Sequence, residues 1–166
     1  GLIEDIYAEK ATRFDIRISE SGYGHPGLAA ALSQNALLQL QDLAQRHGLP
    51  LQSLQPLLMQ AFVQQTRQLN GSDYAFACLE PGKLTVLIQQ QQRWHSVVSR
   101  SLALSQPQPV APLLTQLFAQ LDALPPQVVL ACHGVDTRLE SVAGVPVQTL
   151  MAAPGWPAPP QALAGV

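Results

Sequence analysis

Few residues in this chain have types and spacing that could do chemistry. Cys78 and Cys132 are its two thiols, and His133 directly follows the second. A thiol–imidazole set can hold a soft metal or a redox couple when its members meet in space. The spacing offers nothing local: there is no C-x-x-C and no metal-ligand pattern, so two buried, reduced, metal-free thiols are the expectation. A second possibility lies in residues 76–100, FACLEPGKLTVLIQQQQRWHSVVSR, three strand-like runs joined by polar turns. A hairpin with a glycine in its turn, here Glu80-Pro81-Gly82, is one way to cradle a nucleotide phosphate on backbone amides. His133 ends a near-continuous apolar run, and open α/β sheets bind ligands at the carboxyl ends of such strands. The remaining histidines read as structural. His47 complements the dipole at the end of a helix, His25 sits in a loop before Pro26, and His95 is exposed or at a strand edge. No G-x-S-x-G, H-E-x-x-H, Walker A or dinucleotide fingerprint is present, and no catalytic residue, metal or cofactor is assigned.

The elements that position these residues follow from periodicity and punctuation. Residues 14–18 alternate as a half-buried strand, and 21–27 form a turn-rich loop. The apolar run 28–32 suits a buried strand. Ser33 or Asn35 can cap a helix carrying Leu37, Leu40, Leu43 and Ala44 on one face and ending at Gly48. Residues 51–55 are a strand candidate. Pro56 suits the first turn of a helix reaching about Leu69. Asn70 to Asp73 breaks the pattern, which places a lobe boundary there. Beyond it come strands over 74–79, 84–88 and 94–102, a helix with Pro112 in its first turn halted by Pro125-Pro126, a strand over 128–132, a helix over 136–142 and a strand over 146–150. Trp94 is expected to pack on the meander of the first three strands. The β-β-β-α-β-α-β order predicts a mixed sheet with helices on both faces, in the ribonuclease-H-like arrangement. Three regions result: 1–70, part of a first αβ lobe; 71–151, the ribonuclease-H-like lobe; and 152–166, a Pro/Ala-rich tail in which Trp156 could dock back or meet a partner.

Composition excludes several classes. Hydrophobic residues make up 47% and charged residues 12%, with a net charge of −2 and a pI near 6.0. No basic field draws nucleic acid or an anionic membrane. No apolar run approaches the roughly 18 residues of a membrane span, and no signal-peptide pattern opens the chain. Polarity is carried largely by glutamine, about one residue in eight, which leaves a weakly charged surface tolerant of protein contact. Gly1 precedes a helical pattern already under way, LIEDIYAEK, as expected of a fragment of a longer protein.

The pattern resembles a known family. Residues 128–134, VVLACHG, followed by 139–147, LESVAGVPV, look like the late strand–GG–helix–G-x-P-V segment of actin-like proteins, which approaches adenosine. Residues 28–62 are similar to part of the first lobe of PilM, the actin-like protein of type IV pilus assembly. The cytoplasmic domain of the type II secretion protein GspL has a related architecture. In active members the hairpin reads D-x-G-x-x-T. Against that pattern Cys78 takes the Asp position, Glu80 takes the first Gly, and Gly82 is retained. Glu80 would repel phosphate and Pro81 removes an amide donor. Cys132 and His133 stand where glycines permit close approach, and only Gly134 remains.

The resemblance thus implies a vestigial cleft of Cys78, Glu80, Gly82, Cys132, His133 and Gly134, with the strand bearing Cys78 beside that of Cys132. It implies no ATP hydrolysis, no cofactor and no enzyme activity. It implies a cytoplasmic scaffold, at the inner face of the membrane without inserting, that binds the cytoplasmic segment of an inner-membrane assembly protein in a groove between the first part and the meander. Homodimerisation stays open. The rival reading is the nucleotide-binding lobe of an actin-like ATPase or kinase whose other lobe lies outside this chain.

Overall fold

The computed structural model describes residues 13–19, 23–65, 69, 73–103 and 109–151. The readings made for the N-terminal helical pattern, Asn70 to Ser72, Trp156 and the tail lie outside them. The chain divides into two compact units, 1–56 and 57–166.

In the first unit β1 (Phe14–Ile18) pairs antiparallel with β2 (Ala29–Ser33), Ile16 opposite Ala31. The loop between them is tied by Leu28 N–H donating to Ser19 Oγ and Ser19 N–H donating to the Leu28 carbonyl. Helix α1 (Gln34–Arg46) follows without a break. Ser33 is its N-cap but makes no side-chain capping bond; instead Gln34 N–H donates to the Arg13 carbonyl at 2.9 Å. His47 is the C-cap, and Gly48 at φ 64° turns the chain out, as a left-handed glycine does after a helix. The apolar stripe of α1 is not buried: Leu40 is 39% and Leu43 55% exposed, with Leu37 and Ala44 half-covered. Residues 51–55 take no strand conformation.

The second unit begins with α2 (Leu57–Gln65), which buries Ala61 and Phe62. The Phe62 ring lies 6.0 Å from that of Tyr74, 5.6 Å from Phe76 and 5.5 Å from Trp94, the last two edge-on. Such contacts add to the burial energy of large rings. They tie α2 to the following strands, so the compact units divide after Pro56 and not near residue 70, where polar residues suggested a boundary.

A six-stranded mixed sheet follows: β3 (Tyr74–Glu80), β4 (Lys83–Gln90), β5 (Arg93–Ser101), β6 (Val128–Cys132), β7 (Ser141–Val142) and β8 (Val145–Met151), in the order β5-β4-β3-β6-β8-β7. The β3–β4–β5 meander is antiparallel, whereas β6 runs parallel to β3 and β8 parallel to β6. This is the ribonuclease-H-like strand order expected from the sequence. Two-residue turns join the meander, Pro81-Gly82 and Gln91-Gln92. Both glutamines have positive φ, 51° and 61°, the type I′ geometry, and Asp73 Oδ1 accepts from Gln91 N–H at 2.7 Å.

Helix α3 (Val110–Phe118) packs Val110, Leu114, Leu117 and Phe118 on Ala77, Leu79, Leu84, Val86 and Leu130, the main core. It ends at Phe118, ahead of Pro125-Pro126, and Pro125 is fully buried. The helix expected over 136–142 is absent. That stretch is an extended crossover ending in β7, because its backbone is satisfied from outside. Thr149 Oγ1 donates to the Leu139 carbonyl and accepts from Leu139 N–H, and Val147 N–H donates to the Glu140 carbonyl. Leu139 packs against the core. These bonds replace the i to i−4 bonds a helix would need.

Candidate functional site

Parallel pairing of β3 with β6 sets Leu79 opposite Cys132 and Cys78 opposite Ala131. The ladder runs one step further, His133 N–H donating to the Leu79 carbonyl at 2.8 Å. The six positions singled out in the sequence therefore gather at the carboxyl ends of two adjacent strands and in the turn beyond β3. Their side chains do not all converge. Alternation along a strand sends neighbours to opposite faces. Cys132 points into the α3 core with Leu79 and Leu130. Cys78 alternates with Leu79 and shares the other face with Tyr74 and Phe76, whose rings meet Phe62 of α2. His133 follows Cys132 and returns to the Cys78 face. The sheet itself separates the two thiols, which are free and buried.

Each environment is adverse to the ionised form. Burial first, then the Glu80 carboxylate, pushes the Cys78 thiol up to about 12. Burial also pushes Cys132 up, with the Asp136 carboxylate adding to it and backbone hydrogen bonding at Thr137 opposing it; the neutral S–H donates to the Thr137 carbonyl at 3.4 Å. Neither thiol is a ready nucleophile or metal ligand in that state. Among the described residues no three His, Cys, Asp or Glu side chains gather as a metal site. Burial lowers the His133 pKa, with Glu80 pulling the other way. A folded-state pKa below the ordinary 6.5 means that the unfolded chain binds the proton more readily, so stability present above pH 6.5 falls as pH drops toward the folded value. In urea titrations the wild-type midpoint should decline across that window, and His133→Gln should flatten the decline. An unchanged slope in the variant would assign it elsewhere.

The turn is occupied by its own structure. Glu80 lies opposite Lys83 in the ladder. Pro81, at its fixed φ, is followed by Gly82 at φ 79°, a type II arrangement that requires glycine. The Gly82 carbonyl accepts from Leu102 N–H at 2.8 Å. Gly82 is thus explained by the turn, and Pro81 contributes no N–H to a phosphate nest. Gly134, at φ 69°, is exposed at the exit of β6.

Beside His133 lies a pocket of about 80 Å³, lined also by Ala61, Gln64, Gln65, Ala131, Leu150 and Met151. Periodicity did not single out the two glutamines. They read as the polar end of α2, and only the packing of that helix brings them to the strand ends. The volume suits a few waters and falls well short of the roughly 300 Å³ and more of small-molecule sites. A larger groove, about 390 Å³, lies within the first unit between Asp15, Arg17, Leu32, Leu37, Leu40 and Leu54.

Comparison with solved structures finds several likenesses, of which one is described. A protein from Bacteroides thetaiotaomicron VPI-5482, described as having an actin-like ATPase fold and unknown function, is 10% identical with a TM-score of 0.47 over 75% of this chain. The match covers 47% of that chain, so this sequence spans under half its length. No family model matches, and no curated protein matches. No described helix is long and apolar enough to cross a membrane.

Proposed function

We propose that this chain is a non-catalytic, protein-binding domain on an actin-like scaffold, serving at the cytoplasmic face of a pilus- or secretion-type assembly. One observation carries the reading. The strand ends and turn aligned with phosphate- and adenosine-binding positions hold a buried thiol at Cys78, the Glu80 carboxylate, the N–H-less Pro81 and a pocket of about 80 Å³. A phosphate at that turn would meet a like charge and lack an amide donor. The assembly context comes from the resemblance of residues 28–62 to PilM, and with it the expectation that the partner is a short cytoplasmic segment of an inner-membrane protein.

Calorimetry of the full-length protein with ATP and magnesium tests the reading. No saturable heat is expected; stoichiometric nucleotide binding would return the domain to the active actin-like class.

A further inference from the structure

We propose that β5 is a docking edge for an extended acidic segment of a partner protein, added as the next strand of the sheet. The inference rests on the protein-binding reading above and names a surface and a partner chemistry for it. Among the described residues the sheet ends in β5 on one side and β7 on the other. Strand β7 has two residues and β5 has nine. Long edges are templates for strand addition; charges and bulges on an edge restrict which strands can pair with it, and β5 carries both, with a register shift at Ile88/Gln89. At the centre of β5, Val97 is 46% exposed.

The backbone is presented in register. Leu102 donates inward to Gly82, and the β4–β5 ladder is regular from Ile88↔Ser96 to Lys83↔Ser101. Antiparallel pairs alternate inward and outward groups, so Val97, Ser99 and Ser101 turn their N–H and C=O away from β4. The charge is one-sided. The strand carries Arg93, His95 and Arg100 and no acid, all three exposed. Among the described residues neither arginine pairs with a carboxylate; the ion pairs found, Arg17–Asp15 and Arg46–Asp42, are both in the first unit. This basic strand belongs to a chain of net charge −2. A second copy would set both arginine pairs along one joint with no acid between them, which disfavours self-pairing. An extended segment with carboxylates flanking an apolar residue satisfies the edge amides, the arginines and Val97 together.

The test is fluorescence anisotropy on the full chain with a fluorescein-labelled peptide of about nine residues, a length matched to a strand, alternating Glu with Val and Thr, beside its Lys-for-Glu counterpart. The acidic peptide should bind at least about tenfold tighter, and more weakly as salt rises. Val97→Pro removes an outward N–H that β4 does not use, a tolerated place for proline, and should weaken binding about tenfold. Arg93→Glu with Arg100→Glu should reverse the preference between peptides and keeps the test decisive if the proline variant misfolds. Equal binding of both peptides, no binding, or acidic-peptide binding unchanged in both variants would overturn the β5 assignment. A β5-paired dimer in sedimentation would overturn it as well. These failures leave the nucleotide calorimetry untouched, so they are distinguishable from failure of the protein-binding reading.

Discussion

Cys78→Asp is expected to cost about 4 kcal/mol at pH 7, because a carboxyl whose pKa is raised by about 3–5 units in an apolar interior is still protonated there, at about 1.4 kcal/mol for each of the roughly three pH units above its unfolded value. Cys78 is 0% exposed, and its own thiol is already pushed to about 12, by burial first and then by Glu80. A carboxyl there would sit on the same face as Glu80, one strand step to the side of Leu79. Its folded pKa would exceed the unfolded value, near 3.9. The penalty is therefore absent below pH 4 and grows by about 1.4 kcal/mol per pH unit until the folded pKa is passed. Urea midpoints at pH 4, 5.5 and 7 should spread apart in the variant, whereas Cys78→Ala, which buries no charge, should differ from wild type by a constant amount. Wild-type stability of Cys78→Asp at pH 7 would mean that the end of β3 is open enough to hold an ionised carboxylate. The physical meaning is direct: the end of β3 does not solvate a carboxylate, because position 78 is fully buried.

Phe62→Ala should cost about 3–5 kcal/mol, the range for removing a buried aromatic. Phe62 is 8% exposed and touches three rings on two elements, β3 and β5. Losing it leaves α2 with Ala61 as its other buried residue. The denaturant midpoint should fall accordingly, with Phe62→Leu intermediate. A loss under about 1 kcal/mol would show that α2 is held by something other than this ring cluster.

The meander was legible because its signals agree. Leu84, Val86 and Ile88 alternate with outward or opposite-face residues, and Pro81-Gly82 is turn chemistry of a defined type. The second turn proved tighter than its sequence suggests. Gln91 and Gln92 both take left-handed backbone, a conformation glutamine does not advertise, and it is the hydrogen bond to Asp73 that helps fix it. The helix expected over 136–142 failed for a non-local reason, since Thr149, on the next strand, binds both backbone groups of Leu139. The boundary near residue 70 was drawn from local polarity, and the rings that move it, Tyr74, Phe76 and Trp94, lie beyond it in sequence. At the site, neighbouring positions were foreseen and side-chain direction was not. Cys78 and Cys132 are near in the sheet but face apart, because the register pairs Leu79 with Cys132.

That register has a practical corollary. The protein carries one native thiol in each of the two layers flanking its sheet, Cys78 beneath the α2 face and Cys132 beneath the α3 face. Each becomes accessible to a labelling reagent only when its own layer opens. The two labelling rates are thus separate clocks for two local openings, readable in the wild-type chain without an introduced probe. Equal rates would describe a sheet that lets go of both helices at once, and unequal rates would identify which helix leaves first.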